Sequence, residues 1–133
     1  MKKSSILIVR NKKNEILLLK RGSQTDWRPN CFAYPGGKVD QGEAYERAAV
    51  RELMEETNLV VKKMRFIGLL NVKQRFFLVT EYEGVVDLEK ASHGFEHTEH
   101  KWVSPEELHA MENVAPEAIY GYNLINRGYA FVF

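Results

Sequence analysis

Glu52, Glu55 and Glu56 stand at i, i+3 and i+4, a spacing that gathers side chains onto one face of a helix turning by about 100° per residue. Left unpaired, three like charges on one patch cost a helix roughly 0.2–0.5 kcal/mol per pair. A hard divalent cation reverses that cost. Mg²⁺ and Mn²⁺ take oxygen ligands, and Mg²⁺ commonly combines a few carboxylates with substrate phosphates. Arg51, directly before the cluster, carries a planar fork that can hold one carboxylate in a fixed pose. The competing reading is a solvated acidic helix face, the default for an isolated Glu-Glu pair.

The elements that must position these acids are legible on either side of them. Gly36-Gly37 reads as a tight turn whose backbone amides can approach a ligand closely. Asp40-Gln41-Gly42-Glu43 reads as a helix start, with Asp40 capping and Glu43 at the capping-box position. Ala44, Ala48, Ala49, Leu53 and Met54 favour helix as far as Thr57. Asn58 stands where a left-handed residue ends it.

Taken together, Gly37, Glu43, Arg51, Glu52, Leu53, Glu55, Glu56, Asn58 and Leu59 closely resemble the signature of the Nudix hydrolase family: Gly, five residues, Glu, seven residues, then Arg-Glu-aliphatic-x-Glu-Glu-x-Gly-aliphatic. The one departure is Asn58 in place of the final Gly, and Asn is the next residue to tolerate a left-handed conformation. The signature occupies residues 37–59, and a looser likeness continues into the flanks. The resemblance implies an α/β fold, the Nudix α/β/α sandwich with a mixed central sheet. Pattern reasoning alone gives only a mixture of helices and strands.

The chain of 133 residues fits a single domain spanning 1–133, with 44% hydrophobic and 28% charged residues. A net charge of +1 advertises neither bulk nucleic-acid nor membrane-surface binding. The single Cys31 excludes an internal disulfide, suits a reducing compartment and reads as a small buried hydrophobe. With no signal peptide or transmembrane run in view, the expected compartment is the cytoplasm. A monomer and a homodimer are both compatible.

In chain order, residues 5–10 and 15–20 read as two strands of a hairpin around Asn11-Lys12-Lys13-Asn14. Residues 23–30 form a polar loop carrying Trp27, and 31–34 a short strand. After the helix come strands over 60–70 and 72–83, with no clean turn dipeptide at their junction. Residues 85–99 read as loop and 101–103 as strand. Ser104-Pro105-Glu106-Glu107 opens a helix with cap, proline and acids in order. Pro116 begins a last helix reaching about Asn126, and residues 129–133 end the chain as a strand or tail.

The resemblance also implies roles. Nudix proteins hydrolyse a nucleoside diphosphate linked to another group, with divalent metal, Mg²⁺ with Mn²⁺ as substitute, held by signature glutamates. Glu52 and Glu56 are then the principal ligands, Glu55 a direct or water-mediated one, and Arg51 an orienting group. Glu43 is either a peripheral metal group or a helix cap. Arg21, at a strand end, and Lys38 are candidate phosphate contacts, Gly36 and Gly37 line the site, and Trp27 offers a stacking face. Phe32, Tyr34 and Phe76 read as core. Asn123 and Asn126 carry no specific signal. A later loop often supplies a base, here Glu99 ahead of Glu96. Interleaved His93, His97 and His100 match no closed zinc site.

The function implied is Mg²⁺-dependent pyrophosphohydrolysis of a small-molecule nucleotide. A (deoxy)nucleoside triphosphate is the leading substrate, giving monophosphate and pyrophosphate. Nucleotide sugars, ADP-ribose, dinucleoside polyphosphates and capped RNA ends are alternatives within the family. A nucleotide sensor without activity is the non-enzymatic alternative, against which stands the full set of signature glutamates.

Overall fold

Alternation along the first strand sets the architecture. In β1 (Lys2–Ile8) the side chains of Ile6 and Ile8 join a cluster with Phe77, Val79, Ala118 and Leu124. Leu7 and the following Val9 point to the other face, against Leu17, Leu19 and Leu53. One strand with two buried faces needs cover on both. The computed structural model describes residues 2–61, 63–82 and 99–127. Helix α1 (Tyr45–Thr57) covers the Leu7 face, and α3 (Pro116–Arg127) the Ile6 face together with Leu108 of the short α2 (Pro105–Ala110). That is the α/β/α sandwich the resemblance implies.

The mixed sheet runs β4 (Gly36–Lys38), β1, β6 (Arg75–Tyr82), β5 (Met64–Val72), with β1 parallel to β6 and antiparallel to β4. A second, antiparallel sheet runs β3 (Phe32–Ala33), β2 (Ile16–Lys20), β7 (His100–Val103). The expected hairpin between the first two strands is therefore only local. Asn11 Oδ1 accepts from the Lys13 and Glu15 amides at 2.9 Å each, and Asn14 turns at φ 60°. Beyond the single bridge between Arg10 and Ile16, the two strands part into different sheets.

Three local readings change. Gly36-Gly37 is not a turn but a strand paired with Ser5 and Ile6. At φ 148° Gly36 lies so close to β1 that a Cβ would overlap the Ser5 carbonyl oxygen. Helix α1 begins at Tyr45 with Ala44 as N-cap and no side-chain cap. Asp40 sits four residues before that cap because Gly42, at φ 79°, turns the chain in between. Cys31, expected buried, is half-buried. The C-terminal end of α1 follows expectation: Asn58 is left-handed (φ 61°, ψ 10°) and its amide donates to Met54 O at 2.9 Å.

The junction between β5 and β6 is a two-residue turn, Lys73-Gln74, with φ 50° and 65°. Positive φ at both central positions matches the hairpin twist but favours Asn-Gly. Lys and Gln lack that preference, which hid the turn in the sequence. Lys73→Asn with Gln74→Gly should stabilise the protein by about 1 kcal/mol, read as a higher Tm. An unchanged Tm would show the turn to be unstrained.

The Ser104 cap at α2 forms as expected, and Glu107 completes a capping box that the sequence reading did not name: Ser104 Oγ accepts from the Glu107 amide at 3.1 Å, and Glu107 Oε1 from the Ser104 amide at 3.2 Å. His109 then ties α2 to α3, with Nδ1 2.7 Å from Pro105 O and Nε2 3.2 Å from Asn123 Oδ1. Both neighbours are oxygens, so the imidazolium satisfies both, and its pKa is raised by the Pro105 bond first and Asn123 second. A raised histidine contributes stability that is fully present below its unfolded pKa and fades as pH rises through the folded one. The Tm penalty of His109→Ala should therefore be larger at pH 5.5 than at pH 8.5. Equal penalties would show that the proton is irrelevant to the tie.

Candidate active site

The acid cluster lies against β4. Ala48, Ala49, Leu53 and Thr57 form the buried face of α1, and small alanines let the helix approach β1 and β4 closely. Ser5 Oγ donates to Tyr45 O at 2.9 Å and fastens the first turn to β1. Glu56 Oε1 accepts from the Gly36 amide at 2.8 Å. Glu52 takes the space where a side chain on Gly37 would stand, its Cδ and Oε1 each 2.6 Å from an ideal Cβ there. The two glycines thus matter through contact with the two acids.

Arg51 holds this arrangement from the solvent side. Its Nε and Nη2 donate to the two oxygens of Glu43 at 2.9 and 3.0 Å, a bidentate pair. Nη1 donates to Glu52 Oε1 at 2.9 Å, and Nη2 also reaches Lys38 O at 3.1 Å. Glu43 consequently does not cap the helix; it clamps Arg51. That hydrogen bond, with a second from the Asp40 amide, lowers the Glu43 pKa to about 2. Glu55 is half-exposed, with Oε2 3.5 Å from Arg51 Nη1.

Glu52 is perturbed the other way: burial first, and then the neighbouring Glu56 charge, raise its pKa despite the Arg51 bond. Two crowded, partly desolvated carboxylates are unfavourable by themselves and fit a positive ion between them. Among the described residues no three His, Cys, Asp or Glu side chains converge on one point. Mg²⁺ needs no such cage, since one or two carboxylates suffice when phosphates complete the shell. Glu52 and Glu56 therefore fit a hard divalent ion as a pair. Glu55 stands further out.

Beside the acids opens a cleft of about 190 Å³ lined by Arg21, Trp27, Gly36, Gly37 and Lys38, all five of the residues singled out from the sequence for substrate contact. It also holds Arg75, Phe77, Tyr34 and Glu117, which sequence reasoning missed or assigned to the core. Arg21 is steered by its Nε, which donates to Trp27 O at 2.6 Å. Trp27 is half-buried; its Nε1 donates to Glu117 Oε2 at 2.5 Å, and Glu117 is 4% exposed. Glu117 reaches the cleft because Phe32 and the 113–115 segment pair in parallel, with Ala115 N donating to Phe32 O at 2.8 Å. A buried acid in a first helical turn has no signature separating it from the usual solvated one.

Glu99 lies elsewhere. It is exposed, its carboxylate 3.0 Å from Lys20 Nζ, and its carbonyl accepts from the Lys20 amide, extending the β2–β7 pairing. Glu96, His93, His97 and the segment 129–133 lie outside the described residues. No helix among the described residues is long and apolar enough to cross a membrane.

Comparison with known proteins agrees with this geometry. A model of the NUDIX domain matches residues 2–123. An 8-oxo-dGTP diphosphatase of Haemophilus influenzae is 30% identical over 132 residues, 94% of this chain and 92% of that protein. A prenyl-diphosphate phosphatase of Methanosarcina mazei is 31% identical over 119 residues (86% and 70%). An ADP-ribose pyrophosphatase of Methanocaldococcus jannaschii is 44% identical over 64 residues, 48% of this chain but only 37% of that protein. The crystal structure of a MutT protein from Methanosarcina mazei superposes with a TM-score of 0.79 at 28% identity, covering 94% of this chain and 93% of that one. The protein belongs to the Nudix family and is one of its pyrophosphohydrolases.

Proposed function

We propose that the protein cleaves the pyrophosphate bond of a (deoxy)nucleoside triphosphate, releasing the monophosphate and pyrophosphate. The observation that carries this reading is the single cleft uniting Arg21, Trp27, Gly36, Gly37 and Lys38 beside Glu52 and Glu56. Cations and glycine backbone suit a phosphate chain, and an indole suits a base. Nudix hydrolases generally use divalent metal ions. Here Glu52 and Glu56 would hold Mg²⁺, or Mn²⁺ in its place, with Glu55 through water. When bound, the ion neutralises the phosphates and makes water more acidic.

The chain's own residues supply position and proton transfer. Arg21 and Lys38 hold the phosphates in line, and Arg51 keeps Glu52 facing β4. Water's oxygen bonds to phosphorus, the bridging P–O bond breaks, and the water proton passes to a carboxylate. Glu52, held beside β4 by Arg51, is the first candidate for that base. Glu99 is the second, and its pairing with Lys20 must open first. A base contributes about 10²- to 10⁴-fold, so Glu99→Gln should fall by at least 10²-fold in kcat if Glu99 serves, and stay near wild type if Glu52 does.

The relatives named 8-oxo-dGTP diphosphatase make dGTP and 8-oxo-dGTP the first compounds to try. The deciding experiment is a panel of these, other triphosphates, ADP-ribose, a nucleotide sugar, a dinucleoside polyphosphate and a prenyl diphosphate. Each is incubated with Mg²⁺ and scored for phosphate and pyrophosphate. Turnover confined to compounds other than the triphosphates would overturn the reading.

A further inference from the structure

Hydrolysis uses the glycine floor of the cleft, its phosphate-side cations and the acids behind them, and leaves the far end unexplained. There two guanidinium groups crowd one indole: Arg75 Cζ lies 4.2 Å and Arg28 Cζ 4.5 Å from the Trp27 ring centroid. The two cations are held differently. Arg28 Nε donates to Glu117 Oε1 at 3.3 Å, and the same buried carboxylate takes the Trp27 indole N–H. Arg75 has no carboxylate partner among the described residues; what holds it is the ring. It lines the cleft with Arg21 and Lys38, and it follows directly on the left-handed pair Lys73-Gln74 as the first residue of β6.

We propose that Arg75 determines specificity by occupying the stacking position on Trp27 in the free enzyme. It yields that position to the substrate's base and turns its guanidinium to the phosphates. The inference rests on the nucleotide reading above. A guanidinium and a nucleobase bind an indole face through the same few ångströms of space, so they compete for it. A ligand offering only a base displaces Arg75 and returns nothing to it. A ligand that also carries phosphate returns a charge-assisted, two-pronged contact, stronger than the one lost. One side chain thereby disfavours nucleosides and favours nucleotides, and Arg28, fixed by Glu117, cannot take its place.

The signature of a displaced resident is a change of opposite sign for two ligands. Deoxyguanosine and dGMP are titrated calorimetrically, without metal, into wild type, Arg75→Ala and Arg75→Lys. Arg75→Ala should bind deoxyguanosine about threefold or more tighter, because the competitor is gone, and dGMP about tenfold or more weaker. Arg75→Lys, which keeps the charge but loses the two-pronged contact, should recover only part of the dGMP affinity lost in Arg75→Ala. Lys38→Ala, as control, should weaken dGMP alone. Weakening of both ligands by Arg75→Ala, or movement of neither, overturns the proposal. If wild type binds neither compound without metal, the nucleotide reading is decided by the turnover panel with Mg²⁺, and the resident stack is judged by itself through the NMR resonance of the Trp27 indole N–H. A shift of that resonance in Arg75→Ala upholds the stack, and an unshifted one overturns it too.

Discussion

Glu56→Gln should lower turnover with Mg²⁺ by two to three orders of magnitude, about the scale of losing one preorganised charge at a reacting centre. The fold should survive. A glutamine Oε1 can still accept from the Gly36 amide, and removing the charge relieves the repulsion that Glu52 now feels. Stability gives a reading independent of catalysis. A cation that binds only the folded state raises Tm with concentration, so Mg²⁺ should lift the Tm of wild type and lift that of Glu56→Gln far less. Near-normal kcat together with an undiminished Mg²⁺ shift would remove Glu56 from the metal site.

Gly37→Ala should separate catalysis from folding in a way no change of charge can. The new methyl would stand 2.6 Å from the Glu52 carboxyl carbon, so that carboxylate must swing aside, while the core beneath is untouched. Its Arg51 contact is anchored through Glu43 and cannot follow freely. A misplacement of about 1 Å at a reacting group costs on the order of 10²-fold in rate, and a loss of that size in kcat is expected with Tm nearly unchanged. Gly36→Ala should behave oppositely. Its φ of 148° and its contact with the Ser5 carbonyl place the strain in the β1–β4 pairing, so Tm drops. A Gly37→Ala enzyme with full activity would mean that the Glu52 pose is not the productive one.

What the sequence made legible is what short-range chemistry determines. Asn58 ended its helix as read, Ser104 capped its own, and the five cleft residues came together. Failures fell where partners distant in the chain decide. Gly36-Gly37 looks like a turn until β1 lies beside it. The start of α1 moved to Tyr45 because Glu43 serves Arg51, eight residues on, rather than the helix end. Glu117 and Arg75 could not be read at all, since a first-turn acid and a strand-end arginine are ordinary surface residues unless Trp27 stands between them. The fold class itself came from the signature, not from periodicity.

Strand β1 carries a consequence for how the chain assembles. It is an inner strand of the mixed sheet, with β4 on one side and β6 on the other, and Lys2 lies opposite Arg75. During synthesis its parallel partner therefore emerges more than seventy residues after it, and until then its apolar side chains have one sheet neighbour at most. Long-range parallel pairing of this kind is slow, and the waiting strand is an exposed edge. Ile6, Leu7 and Ile8 are sticky in that interval, and Lys2 and Lys3 just ahead of them are the charges that keep the nascent edge from pairing with a second chain.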